Sequence, residues 1–215
     1  MGQVSGVIMA PLVFLVRHAE SAHNVSKDFS HRDPPLTSLG LEQASALVKS
    51  FPDPTSIVTV VSSPLTRTLQ TTLAAFGHVL DKKYVGEVGR DGGAKLILDP
   101  DLQERSDLPC DTGSDRAKLQ AEFPNLDFSG LGDQWFAKEG RFTADDEAVA
   151  VRAKAVRERL FDLVTENGHG NMAVVTHGVF MKFLSEDSSI DLPKAGWMTY
   201  TVVKEGGNVH LVPVE

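Results

Sequence analysis

The stretch Leu12-Val13-Phe14-Leu15-Val16, followed at once by Arg17-His18, decides the fold of this 215-residue chain. Its apolar residues follow one another without the alternation of a half-wet strand, which predicts a strand buried on both faces of a parallel sheet. Similar β-rich runs recur at Ile57 to Val61, Leu96 to Leu98 and Met172 to Val175. Helical periods separate them. Strands that alternate with helices predict an α/β three-layer sandwich, a mainly parallel central sheet flanked by helices.

The helices announce themselves by caps and stripes. Thr37 is placed to cap a helix with the stripe Leu41, Ala44, Leu47, Val48 and Phe51, although Gly40 stands where a capping box wants Glu or Gln. Ser63-Pro64 reads as N-cap and first helical residue ahead of Leu65, Leu69, Leu73 and Phe76. Thr143 and Asp146 precede Val149, Ala153, Val156, Leu160 and Val164, the longest periodic run, which Gly168 can end. Trp197 to Val203 and Val209 to Val212 flank Glu205-Gly206-Gly207 as a closing hairpin that Pro213 ends.

From Arg105 to Phe142 this rhythm breaks. The segment carries Pro109, Pro124, several glycines, the aromatics Phe123, Phe128, Trp135, Phe136 and Phe142, and a short helix at Ser114 to Ala121. It reads as an insertion over the C-terminal edge of the sheet, covering the active-site mouth of a single domain that spans 1–215. The aromatics are expected to form a small satellite core.

Composition narrows the function. A net charge of −8 disfavours nonspecific binding to nucleic acid or to an anionic membrane. The apolar stretch from Val7 to Val16 is too short to span a bilayer and lacks the basic flank of a leader. Met1-Gly2 suggests myristoylation, but Gly6 occupies the place of the required Ser or Thr. The lone Cys110 suits a reducing compartment, so a cytoplasmic location is expected.

Ligands of open α/β sheets bind beyond the carboxyl ends of the strands. Arg17-His18, Ser62-Ser63 before Arg67, Gln103-Glu104-Arg105 and Thr176-His177-Gly178 all follow predicted strands, so parallel strands would bring them to one mouth. Two guanidinium forks can clamp phosphoryl oxygens, one imidazole can attack phosphorus, and a carboxylic acid can protonate the departing alkoxide. Uncatalysed phosphate-monoester hydrolysis is so slow that accelerations reach ~10²¹, and dense positive preorganisation is the expected answer.

The run Leu15 to Ser21 with Asn24, then Leu36-Thr37 with Gly40, Ser62 to Thr71, Leu102 to Arg105, and Val174 to Gly178 together resemble the ordered blocks of the histidine phosphatase superfamily, phosphoglycerate-mutase-like branch. The resemblance covers about residues 12 to 185. It implies that His18 becomes a phosphohistidine, that Arg17, Arg67 and His177 hold the phosphoryl oxygens with Asn24 as a further donor, and that Glu104 is the proton donor and later the base. Gly178 would border the substrate, and Ser21 would bond phosphate or cap a turn. No metal or organic cofactor is implied. His23, His31, His169 and His210 show no ligand spacing with a Cys or carboxylate cluster.

Compared with the mutases, Ala19 replaces a usual Gly, His23 a usual Trp, and the insertion offers only the separated Arg116, Lys118, Lys138 and Arg141 instead of an arginine pair. Pro109 to Gly113 resembles small phosphatases of the family. The expectation is a metal-independent phosphomonoesterase that takes a small phosphorylated metabolite and releases inorganic phosphate. A phosphoglycerate mutase is the nearest alternative, and a phospho-ligand-binding regulatory protein is the non-enzymatic one. Intact His18 and Glu104 argue against the latter. Oligomeric state is left open by the sequence.

Overall fold

The computed structural model of the chain describes residues 10–166 and 170–214. Val7 at the start of the apolar stretch, the Met1-Gly2 acylation pattern with Gly6, the helix stop at Gly168, and His169 lie outside the described residues. The chain runs through β1 (Leu12–Arg17), α1 (Ala22–Ser26), α2 (Ser38–Leu47), β2 (Ile57–Ser62), α3 (Thr66–Phe76), α4 (Lys82–Val85), β3 (Lys95–Leu98), α5 (Arg116–Glu122), α6 (Asp146–Glu166), β4 (Asn171–Thr176), α7 (Phe180–Leu184), β5 (Trp197–Glu205) and β6 (Asn208–Pro213). Among the described residues, no helix is long and apolar enough to cross a membrane.

The sheet order is β3-β2-β4-β1-β5-β6. Neighbours from β3 to β1 pair in parallel, whereas β5 pairs antiparallel with β1 and with β6. Side chains alternate across a strand, so Phe14 and Val16 enter one apolar layer while Val13 and Leu15 enter the other. Both layers are built of buried apolar side chains. The first contains Leu47, Leu65, Leu69 and Phe76 from the α2 and α3 side; the second contains Val149, Ala153, Val156 and Leu160 of α6 with Phe180 and Leu184 of α7. The sheet thus lies between two helical layers, with the parallel carboxyl ends on one edge.

The insertion aromatics depart from expectation. Phe123, Phe128 and Trp135 are buried in the same layer as Phe14 and Val16, and Phe136 packs against it. They extend the main core and do not form a satellite, because the segment folds down over the helical layer. Phe142 remains apart, beneath the Arg141 guanidinium.

Helix starts also differ from the sequence reading. Helix α3 begins at Thr66, not at Ser63-Pro64, because the Asp33 carboxylate accepts from the Thr66 amide (2.8 Å) and hydroxyl (2.9 Å). Asp33 arrives from a loop distant in sequence. Asp145, not Thr143, accepts from the Ala148 amide (2.9 Å) at the start of α6, and the Thr143 hydroxyl bonds Asp145 instead. The hairpin turns through Gly206 (φ 56°) and Gly207 (φ 85°), the paired positive angles that a tight antiparallel connection requires.

Helix α2 explains its own missing capping box. Thr37 accepts from the Gly40 amide (2.9 Å) as expected, and its hydroxyl donates to Glu20 (2.7 Å). Leu41, counted in the buried stripe, is 45% exposed, because this turn faces the loop after β1 through Gly40 and leaves Leu41 outside. A Cβ on Gly40 would stand 1.9 Å from the Glu20 carbonyl oxygen. Only glycine allows that approach. Gly40→Ala is therefore expected to destabilise the fold by about 1–3 kcal/mol, as overpacking does; an unchanged urea unfolding midpoint would disprove the contact.

Candidate active site

The carboxyl ends of β1, β2 and β4 deliver the polar residues to one place. His18 prolongs the β1–β4 ladder, its amide donating to the Thr176 carbonyl (3.0 Å), and its ring lies 5.2 Å from that of His177. Arg67 in the first turn of α3 joins them. Its Nε donates to His18 Nε2 (3.3 Å), and its terminal nitrogens reach His177 Nδ1 (3.0 Å), the Cys110 carbonyl (2.7 Å) and Asp111 Oδ1 (2.7 Å).

These contacts fix the proton positions. His18 Nδ1 faces the Ala19 carbonyl at 2.7 Å and must donate to it, so the Nε2 lone pair points toward Arg67. A guanidinium donates only, so His177 Nδ1 accepts from Arg67 and its Nε2 donates to the Ser63 hydroxyl (2.9 Å). Both rings are neutral. Burial, and then the Arg67 charge, hold each imidazole well below its ordinary pKa. Burial followed by Arg67 lowers that of His23 to about 4.

Arg17 lies along the opposite wall. Its guanidinium donates to Asp191 (3.1 Å) and to the Leu192 carbonyl, while Nε is buried without a partner among the described residues. That Nε is a buried donor whose hydrogen-bonding capacity those residues leave unused. Gly178 lets the guanidinium settle, since a Cβ there would lie 2.8 Å from Arg17 Cζ. Glu104, 8% exposed, closes another side; its carboxylate accepts from the amides of Arg105 (2.8 Å), Phe180 (2.9 Å) and Val179 (3.1 Å).

The cavity so formed measures about 150 Å³ and is lined by Arg17, His18, Arg67 and Glu104, with His23, Asn24 and Gly178 nearby along its wall. Phe29, Leu108 and Val179 form an apolar rim. His177 lies beneath this surface, fully buried behind His18 and Arg67. Ser21, also off the cavity wall, stands at the N-cap of α1, the capping alternative: it is fully buried and its hydroxyl bonds Asn24 Oδ1 (3.0 Å) and His23 Nδ1 (3.1 Å). Its contribution is to orient Asn24 and His23. A larger groove of about 570 Å³ lies between α6 and α7, touching this site at Val179; its Arg105 and Arg157 are paired with Asp146 and Glu186.

Three residues of the site carried no clear sequence signal. Asp111 neutralises Arg67, Lys194 lines the cavity, and Lys138 Nζ donates to the Glu104 carbonyl (3.0 Å). Burial, then Arg152, lowers the Lys138 pKa to about 8. The sequence also showed no metal-ligand cluster around His23, yet folding brings His23, Cys110 and Asp111 within 4.8 Å of one another. The set does not fit a cation. Asp111 is held by Arg67 (2.7 Å) and the Ser106 hydroxyl (2.5 Å), the His23 nitrogens face Ser21 and Asn24, and burial pushes the Cys110 thiol up to about 11.

Comparison with known proteins bears on the family and the fold. The profile of the histidine phosphatase superfamily (branch 1) matches residues 13–202. A Schizosaccharomyces pombe protein named as a probable phosphatase is 30% identical over 191 residues, covering 85% of this chain and 83% of its own. Phosphoglycerate mutase-like protein 1 of Arabidopsis thaliana is 28% identical over 210 residues, covering 82% of this chain and 73% of its own. Among solved structures, a mycobacterial glucosyl-3-phosphoglycerate phosphatase in complex with VO3 superposes with a TM-score of 0.58 at 19% identity, covering 96% of this chain and 98% of that one.

The neutral imidazoles predict acid sensitivity. Unfolded histidines titrate near 6.5, whereas His18, His23 and His177 resist protonation in the fold, so their contribution is complete above about pH 6.5 and is lost as pH falls toward their native values. Each adds a slope of up to about 1.4 kcal/mol per pH unit in that window. Urea unfolding at pH 7 and pH 5 measures it; equal free energies would contradict the burial of neutral rings.

Proposed function

Because the chain belongs to the histidine phosphatase superfamily (branch 1), we propose that it is a phosphomonoesterase acting through a phosphohistidine on His18. The observation that carries this reading is the His18 Nε2 lone pair at a cavity whose walls supply Arg67, Arg17 and Glu104. A dianionic phosphoryl group enters, and its oxygens take Arg17 Nε, Arg67 and the Asn24 amide. His18 Nε2 attacks phosphorus while the bond to the ester oxygen breaks. Glu104, entering as the acid, gives its proton to that oxygen.

In the second half, the Glu104 carboxylate takes a proton from water as the water oxygen attacks the phosphohistidine, the N–P bond breaks, and inorganic phosphate leaves. His18 and protonated Glu104 are restored. His177 stays neutral beneath the cavity, its Nδ1 accepting from Arg67 and so orienting that guanidinium toward the phosphoryl group. No step in this scheme uses a metal or organic cofactor.

The cavity is large enough for a phosphoryl group, and the leaving group extends past the rim. A small phosphorylated metabolite fits that division, in a cytoplasmic setting. Mutase chemistry is the weaker reading because three of the insertion's four separated cations are engaged within the protein: Arg116 pairs with Asp133, Arg141 with Asp101, and Lys138 is turned to the Glu104 carbonyl. A purely phosphate-binding regulator needs the guanidiniums but not a tautomer-fixed imidazole that shares its cavity with a carboxyl group.

His18→Ala is expected to abolish phosphate release from an aryl phosphate while leaving the circular dichroism unchanged; turnover at the wild-type rate would remove His18 from the chemistry. Glu104→Gln should slow esters with poor leaving groups by ~10²- to 10⁴-fold and activated esters far less. Equal losses on both, measured as kcat/KM, would assign the proton to another group.

A further inference from the structure

Lys194 is a cation at the cavity that the scheme above leaves without a task. It lies in segment 190–196, which leads into β5. Because β5 runs antiparallel to β1, with Trp197 opposite Val16, this segment reaches the same edge of the sheet as Arg17 and His18. It is tied down there on both sides of the lysine. The Ala195 amide donates to the His18 carbonyl (3.3 Å), the Arg17 amide donates to the Gly196 carbonyl (2.9 Å), and the Arg17 guanidinium grips Asp191 and the Leu192 carbonyl.

Ala195 has φ 56°, a left-handed conformation that alanine avoids. The bonds to the end of β1 hold it in that turn, and the lysine beside it lines the cavity with Arg17, His18 and Arg67. The charges are not equivalent. Arg17 is paired with Asp191 and Arg67 with Asp111, whereas among the described residues Lys194 has no carboxylate within ion-pair distance. Burial, followed by Arg17 and Arg67, lowers its pKa to about 8, and its charge weighs more heavily on His18 than that of Arg17 does. An unpaired ammonium next to two guanidiniums becomes favourable when an anion occupies the cavity.

We propose that Lys194 is a further catalytic ligand of the transferred phosphoryl group, its ammonium donating to an equatorial oxygen. The inference rests on the phosphoryl-transfer reading of the site. With both guanidiniums in ion pairs, this ammonium adds a positive charge that has no ion-pair partner of its own among the described residues. Its donors also turn freely, so it can follow the oxygen as the group passes from ester to His18.

The test compares wild type, Lys194→Met, Lys194→Gln and Lys194→Arg in vanadate binding by calorimetry. It also compares kcat/KM on an aryl phosphate without other charges and on 3-phosphoglycerate. With urea midpoints matching wild type, the Met and Gln variants are expected to lose about 10²-fold or more in kcat/KM on both substrates. They should bind vanadate more weakly, and Arg should recover most of both losses. Loss confined to 3-phosphoglycerate would assign Lys194 to a second anionic group and overturn the inference, as would unchanged kinetics and vanadate binding. If wild type bound no vanadate and released no phosphate, the phosphoryl-transfer reading would fail and take this inference with it.

Discussion

The Arg67 guanidinium is 1% exposed, and the rest of the site is arranged around the need to satisfy it. A buried charge without partners would cost several kcal/mol, so each of its nitrogens must find an acceptor. They find His18 and His177 from two strand ends, and the Cys110 carbonyl with the Asp111 carboxylate from the insertion. One side chain thus couples the sheet edge to the segment that folds over it. Asp33 sets its position in turn, by capping the helix whose first turn carries it.

The same charge governs the chemistry of the rings. Two imidazoles 5.2 Å apart beside a buried guanidinium cannot both be cationic, and the hydrogen bonds fix each as a neutral tautomer. A neutral His18 keeps its lone pair. The pocket therefore combines a nucleophile with a positive wall, two properties that oppose each other in water. They coexist here because the carbonyl of Ala19 occupies the other ring nitrogen.

Much of this was legible in the chain because parallel strands place their ends together. The unbroken LVFLV run is buried from both sides; Arg17 ends β1, His18 and His177 directly follow β1 and β4, and Glu104 follows β3 after a short turn. Residues that reach the edge by other routes left no such mark. Lys194 arrives ahead of an antiparallel strand, Asp111 is defined only by the guanidinium it meets, and Asp33 caps a helix more than thirty positions away. Ser21 shows the reverse problem: the spacing that placed it near the site does not tell that its hydroxyl turns inward to Asn24. Nor does an aromatic segment declare which core it joins, since Phe123, Phe128 and Trp135 have the same apolar character in either setting.

The position of β1 has a consequence for biosynthesis. Its sheet neighbours are β4 and β5, which lie more than 150 residues further along the chain. Until those strands are made LVFLV lacks its native partners, and its apolar, uncharged, β-prone character is that of a sticky nascent segment. Pairing of β1 within the central sheet is therefore a late, long-range event in folding.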